Sequence, residues 1–175
     1  LKKCEKIYSK KFDLIFELPC VSPLRDSKDI VKAYKILISK KLDSVTSYVN
    51  TGEKHPIRMK TISKYKDKFR LKGVCKEFKE PSYGSFKQDL TPTYVRNGAI
   101  YAMTRNCLLK QNSRHGKKQY PLIMSEEKSI NIDTPYDLKL ARLLIENGNC
   151  VNKPKKIIKN KNIKTNKFNT KKLLV

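Results

Sequence analysis

KFDLIFELPCVSPLRDSKDIVKAYKILISKKLDSVTSYV, residues 11–49, is the stretch that decides the fold. Its first nine residues form a short, unbroken apolar run stopped by Pro19, the pattern of a strand buried on both faces. A turn punctuated by Pro23 follows. Ile30, Ala33, Tyr34 and Leu37 then recur at helical spacing with lysines elsewhere, which predicts a helix with Asp26 or Ser27 as its N-cap. Asp29 suits the first turn, where the helix dipole favours an anion. DSVTSYV, 43–49, is β-branched and alternating, hence a strand. Strand, helix and strand within ~40 residues make a βαβ unit, which predicts parallel strands and a right-handed crossover.

The rest of the chain extends this α/β pattern. Residues 50–95 hold turn signals (NTGEKHP), charged hairpin-like pieces and a loop (KEPSYGS), so short strands forming an arm or flap are expected there. NGAIYAM, 97–103, reads as a central strand. TRNCLLKQN reads as a short helix, and a short strand is expected near 121–124. In SINIDTPYDL, 129–138, the alternation of Ile130 and Ile132 suggests a further strand that ends on Asp133. A helix from Pro135 to about Asn147 follows, with Thr134 as N-cap, Asp137 in the first turn and Gly148 as the stop. These elements fit one domain over 1–150, followed by a separate segment, 151–175.

Charge is the most conspicuous feature of the composition. Lys+Arg 40 against Asp+Glu 16 gives +24, a balance that ordinarily points to a polyanionic partner. The 40 cations are 33 Lys and 7 Arg, whereas base-edge readout and bidentate phosphate clamps favour Arg. The lysines are scattered through every segment, as a drift in composition over exposed faces would leave them. Nucleic acid is therefore not taken as the main partner. Residues 151–175 hold nine Lys and no acid, and are expected to be a disordered basic tail. The five cysteines are widely spaced with no CxxC pair, and no signal peptide precedes them, so free thiols in the cytoplasm are expected. No apolar run reaches the ~20 residues needed to span a bilayer.

Asp133 stands at the seam between a predicted strand and a predicted helix. Locally it is first of all an acid beside a helix cap. In an open parallel sheet, however, ligands sit beyond the carboxyl ends of strands, and other polar residues come to the same edge. SPLR (22–25) follows the first strand, while KQDL (87–90) and YVRNGAIY (94–101) precede and enter the central one.

In order along the chain, LPCVSPLRDSKDI, DSVTS, KHP, KQDLTPTYVRNGAIYAM and SINIDTPYDLKLARLL resemble the acylneuraminate cytidylyltransferase family, the CMP-sialic acid synthetases. The likeness covers roughly 11–148 and looks closest to the bacterial branch that activates sialic-acid-like nonulosonic acids. It implies a Rossmann-like nucleotidyltransferase sheet with a β-rich dimerisation arm at about 50–95. It also implies transfer of CMP from CTP to a 2-keto sugar acid with release of pyrophosphate, Mg²⁺ as cofactor, and a homodimer.

On the same resemblance, Asp133 matches the second acid of the family's Asp-Ile-Asp metal motif, as metal ligand and catalytic residue. Asn131 stands at the first, where an amide oxygen can still reach a metal or its water. Asn97 and Tyr101 match positions that contact the sugar acid, although Tyr101 equally fits core packing. Lys87 stands where the family usually has Arg and would reach the sugar carboxylate or phosphate, without the bidentate fork. Gln88 would hydrogen-bond substrate. Arg25 fits either a substrate ligand or an arginine that stabilises its own turn.

The family opens with a strand and a Gly/Ser/Lys/Arg-rich loop that cradles the CTP phosphates. This chain shows no such loop and starts at Leu1. At ~30 residues per βαβ unit, the expectation is that roughly 80–100 residues precede this portion in the parent, and that the chain alone does not turn over CTP. The alternatives are another sugar nucleotidyltransferase (CMP-Kdo or GDP-sugar type), a non-catalytic basic binding module, and a dimerising, inactive relative.

Overall fold

The computed structural model describes residues 1–78, 86–148 and 173–174. They divide into two units, Leu1–Val49 with Arg96–Val175, and Asn50–Val95.

The first unit is a mixed sheet with helices. Its elements are α1 (Lys2–Tyr8), β1 (Leu14–Glu17), α2 (Ser27–Ser39) and β2 (Ser44–Asn50). The chain passes through the second unit as β3 (Lys60–Tyr65) and β4 (Lys68–Gly73). It returns as β5 (Tyr94–Thr104), α3 (Arg105–Leu109), β6 (Gln119–Ile123), α4 (Pro135–Glu146) and β7 (Leu173–Leu174). The sheet order is β6-β2-β5-β1-β7.

β1 runs antiparallel to β5, with Ile15 opposite Met103 and Glu17 opposite Tyr101. β2 runs antiparallel to β5 from the other side: the Thr104 amide bonds the Asp43 carbonyl at 2.9 Å, and the Ile100 amide bonds Ser47 Oγ at 2.8 Å. β1 and β2 therefore share a direction, as the βαβ reading predicts. They are not neighbours, however, and the expected run of adjacent parallel strands is corrected to a mixed sheet. The cause is β5, whose eleven residues and buried Asn97, Ala99, Ile100, Ala102 and Met103 occupy the middle position. β6 lies parallel to β2 on its outer side.

Strand alternation assigns the two faces. Leu14 and Phe16 join Ala33 and Leu37 of α2 in the main core, with Val45, Ala102 and Leu122. Ile15, Met103 and Cys107 form a smaller cluster on the opposite face, against which Tyr101 packs. α2 is capped by Asp26, whose side chain accepts from the Asp29 amide while Asp29 accepts from the Asp26 amide. This reciprocal box satisfies two otherwise orphaned donors. Thr134 and Asp137 form the same box on α4.

Two local expectations change. Residues 2–8, to which the sequence reading gave no element, form α1, which buries no residue and is held by Glu5 to the Phe12 amide and to Arg105. No strand forms at Ile130–Ile132. A 3-10 turn, Glu127–Ser129, precedes them, and Ile130 and Ile132 pack on Leu24, Ala141 and Leu144 instead. One bond, Ile132 N–H to the Val21 carbonyl at 2.8 Å, replaces a ladder. The tail lies outside the described residues apart from Leu173–Leu174, which pair parallel with Leu14 and Ile15. Cys150 also lies outside them, and the four described cysteines are free. Among the described residues no helix is long and apolar enough to cross a membrane.

The second unit carries the β3–β4 hairpin, exposed at every residue. Its register puts Ile62 opposite Leu71 and Lys64 opposite Phe69 on one face, and Tyr65 opposite Lys68 and Ser63 opposite Arg70 on the other. His55 is buried and holds the Thr91 carbonyl through Nε2 at 3.0 Å.

Gly116 fixes the loop between α3 and β6. Its φ is +64°, and a Cβ there would lie 2.4 Å from Asp43 Cβ and 2.8 Å from Cys107 Sγ. Gly148 has φ +72° but open space around it. Gly116→Ala should therefore lose about 3 kcal/mol or more, from left-handed strain plus overpacking, and Gly148→Ala only about 1 kcal/mol. Urea-denaturation midpoints measure both, and equal losses would contradict this account of the loop.

Candidate functional site

Three segments of the first unit meet at one end of β1 and β5: the loop 18–25, the start of β5, and residues 125–134 ahead of α4. The loop after β1 is shaped by Arg25. Its guanidinium donates to the carbonyls of Pro19 (2.6 Å), Ser22 (2.7 Å) and Leu18 (3.2 Å). Of these carbonyls, that of Pro19 also accepts from the Ser22 amide at 3.3 Å.

Lys128 joins this loop to the α4 segment. Its ammonium donates to Asp26 Oδ2 at 3.0 Å and to both Asp29 oxygens at 3.2 and 3.0 Å. Burial by itself would raise the Asp26 carboxyl. The Lys128 bond and charge, together with the Asp29 amide, outweigh that effect and hold it below the usual value. Burial likewise opposes the Lys128 charge, and the two aspartates overcome it and raise the ammonium above its ordinary value. A third tie is the hydroxyl of the buried Ser22, which donates to Asn131 Oδ1 at 2.5 Å.

β5 supplies the floor. Asn97 is buried, and its amide donates to Ser129 Oγ at 2.8 Å and to Met124 Sδ at 3.5 Å, while its oxygen accepts from the Ala99 amide. This clip holds the strand to the 125–129 segment where Gly98 turns to φ +74°. A Cβ at Gly98 would lie 3.5 Å from Asn131 Nδ2 and 4.0 Å from the Tyr101 hydroxyl. The missing side chain therefore leaves a small nook between an amide and a phenol.

A basic wall stands beside Tyr101. The Arg114 guanidinium lies 5.7 Å from the Tyr101 ring centre and pairs with Glu17 at 3.3 Å. His115 meets Tyr101 edge-on at 6.2 Å. Its Nε2 is 2.8 Å from Arg96 Nη1 and its Nδ1 3.4 Å from Thr46 Oγ1. Arginine only donates, so Nε2 accepts and the proton of this imidazole sits on Nδ1. Asp43 accepts from the Lys117 and Lys118 amides, and those bonds lead its carboxyl below the usual range. Sequence reasoning missed Arg96, Arg114 and His115. NSRHGKK has no periodicity, and only its Gly and its mixed cations marked it as a shaped loop.

Of the residues predicted from sequence, Asn97, Tyr101 and Asn131 come together here. Asn97 is occupied as an internal clip and Arg25 as a turn brace. Asp133 is exposed, and among the described residues its carboxylate has no hydrogen bond or ion pair; only its amide is engaged, by Asp137. Lys87 and Gln88 lie in a 3-10 turn, Lys87–Asp89, of the second unit. Among the described residues no three His, Cys, Asp or Glu side chains gather to hold a metal. At the α4 seam the Asp133 carboxylate is the uncommitted oxygen donor, since Asn131 Oδ1 already accepts from Ser22. One carboxylate would suit Mg²⁺ of the kind whose coordination is completed by substrate phosphates and water, rather than an all-protein cage.

The Lys128 tie gives a pH prediction. The Asp26 carboxyl is depressed in the fold, so its stabilisation is present above the unfolded value of about 3.9 and is lost as pH falls through the lower folded value. The Lys128 ammonium is raised, so its share is complete below about 10.4 and is lost as pH rises through its folded value. Lys128→Met should lose about 1–2 kcal/mol at pH 7 and flatten both limbs of the stability–pH curve. An unchanged acid limb in denaturant titrations would contradict this.

No protein-family model matches the chain. The chain is 26% identical over 149 residues to post-translational flagellin modification protein B of Campylobacter coli, covering 85% of this chain and 60% of that protein. It is 32% identical over 120 residues to the N-acylneuraminate cytidylyltransferase of Streptococcus agalactiae serotype III, covering 69% of this chain and 27% of that enzyme. The serotype Ia enzyme gives the same identity and coverage. The chain thus spans 60% of the length of the first relative and 27% of the length of the others. By descent over these residues, the chain belongs to the acylneuraminate cytidylyltransferase family.

Proposed function

We propose that this protein is a cytidylyltransferase that transfers CMP from CTP to a sialic-acid-like nonulosonic acid and releases pyrophosphate. The observation that carries this reading is the meeting of Asn131, Tyr101 and Gly98 directly ahead of Asp133, in a chain whose relative bears the name N-acylneuraminate cytidylyltransferase. In this reaction the anomeric hydroxyl of the sugar attacks the α-phosphorus and pyrophosphate leaves. Such a transfer asks the protein mainly for positioning and for neutralisation of phosphate charge.

The residues suit those tasks. The nook over Gly98 offers an amide and a phenol to the oxygens of the sugar. Arg96, bonded to His115, adds a cation to the neighbouring surface, which favours an acidic substrate, while the Arg114 charge is met by Glu17. Asp133 would hold Mg²⁺, which supplies charge neutralisation on the phosphates when bound. Lys128, Arg25 and Ser22 hold the Asp133 segment in place. Lys87 and Gln88 remain proposed substrate ligands. The hairpin with Ile62, Phe69 and Leu71 exposed on one face supports a two-fold dimer, because a two-stranded ribbon is marginal without a covering partner.

The test is pyrophosphate release from CTP and N-acetylneuraminate, measured on the longest natural form of the protein. Asp133→Ala should cut the Mg²⁺-dependent rate at least about 100-fold and leave the folding midpoint unchanged. An undiminished rate would exclude the carboxylate from the metal site, and no turnover by the unsubstituted protein would contradict the proposed reaction.

A further inference from the structure

We propose that Asn131 acts as a hydrogen-bond donor to an oxygen of the acidic sugar and is not a ligand of the metal. This rests on the cytidylyltransferase reading and goes beyond it by dividing the α4 seam into two functions. Asp133 alone faces the metal, and Asn131 faces the sugar.

The argument starts from Ser22. Its hydroxyl is wholly buried, and its own carbonyl is taken by Arg25. A buried hydroxyl proton needs an acceptor, and Asn131 Oδ1 is the one it has. Turning the amide over would make Ser22 accept from Nδ2 and leave its proton without a partner. The orientation of Asn131 is therefore fixed by its neighbour, with the oxygen held by Ser22.

Nδ2 is the amide atom nearer the space over Gly98, at 3.5 Å from where a Cβ would be, against 3.9 Å for Oδ1. Among the described residues Nδ2 has no hydrogen-bond acceptor, and the Tyr101 hydroxyl, 4.0 Å from the same point, makes no hydrogen bond either. Two unengaged donors thus converge on a gap that only glycine leaves open. Such a pair recognises a hydrogen-bond acceptor such as an oxygen of the sugar. A carboxylate in place of the amide would still accept from Ser22. It would, however, offer the sugar no donor at this point.

The experiment titrates the full chain with N-acetylneuraminate in EDTA by calorimetry, and separately with Mn²⁺ by electron paramagnetic resonance. Asn131→Ala should weaken sugar-acid binding at least tenfold while leaving the Mn²⁺ affinity within twofold. Tyr101→Phe, which removes only the hydroxyl, should weaken the sugar acid several-fold in the same way. Asn131→Asp, which removes the donor and restores the carboxylate of the family motif, should gain Mn²⁺ affinity and weaken the sugar acid several-fold. A fivefold or greater fall in Mn²⁺ affinity in Asn131→Ala, with sugar binding unchanged, would overturn the proposal and leave the cytidylyltransferase reading standing. No sugar-acid binding by the unsubstituted chain would overturn both.

Discussion

The candidate site depends on one ion-pair cluster, Lys128 between Asp26 and Asp29. The two aspartates also cap α2, and that reciprocal box fixes their carboxylates independently of Lys128. Its ammonium then holds the segment ahead of α4 against the loop after β1. The Ile132–Val21 and Ser22–Asn131 bonds form in the register that this sets. Exposed ion pairs contribute little, but these side chains are each at most a quarter exposed and form a three-centre network. Two distant stretches of sequence are thereby made into one surface.

The second constraint is steric. Gly98 and Gly116 both take positive φ, for different reasons. At Gly116 there is no room for a side chain, and the loop that presents Arg114 and His115 is pressed onto Asp43 and Cys107. At Gly98 there is room, and that room is the nook between Asn131 and Tyr101. One glycine builds the basic wall and the other opens the floor. Asn97, whose amide is engaged on both sides, keeps β5 from closing that opening.

Much of this was legible in the sequence. The α2 and α4 caps were readable because Ser, Thr, Asp and Pro at helix starts act locally. β5 was readable because NGAIYAM is too apolar to lie elsewhere than the centre. The mixed order of the sheet was not, since nothing local to 11–49 reveals that a strand fifty residues later inserts between β1 and β2. The strand expected at Ile130–Ile132 failed for a related reason: alternating isoleucines satisfy a helix-packing cluster as well as a ladder. At the site, Asn131, Tyr101 and Asp133 were named through family likeness, because no local pattern marks them apart from the helix cap beside Asp133. The alternative reading of Arg25 as a turn brace was available from its proline-rich setting. Arg96, Arg114 and His115 were hidden because their roles come from tertiary placement, which leaves no periodic trace.

The central claim is that the acidic sugar binds where loop 18–25, β5 and the α4 seam meet. The most direct measurement is an amide ¹⁵N–¹H correlation spectrum of the chain titrated with N-acetylneuraminate. The account predicts that the largest shifts fall on the amides of Gly98, Tyr101, Ser22 and Asn131, with smaller ones at Arg114 and His115. Shifts confined to the outer face of α2 or to the β3–β4 hairpin, with Gly98 and Asn131 unmoved, would contradict it.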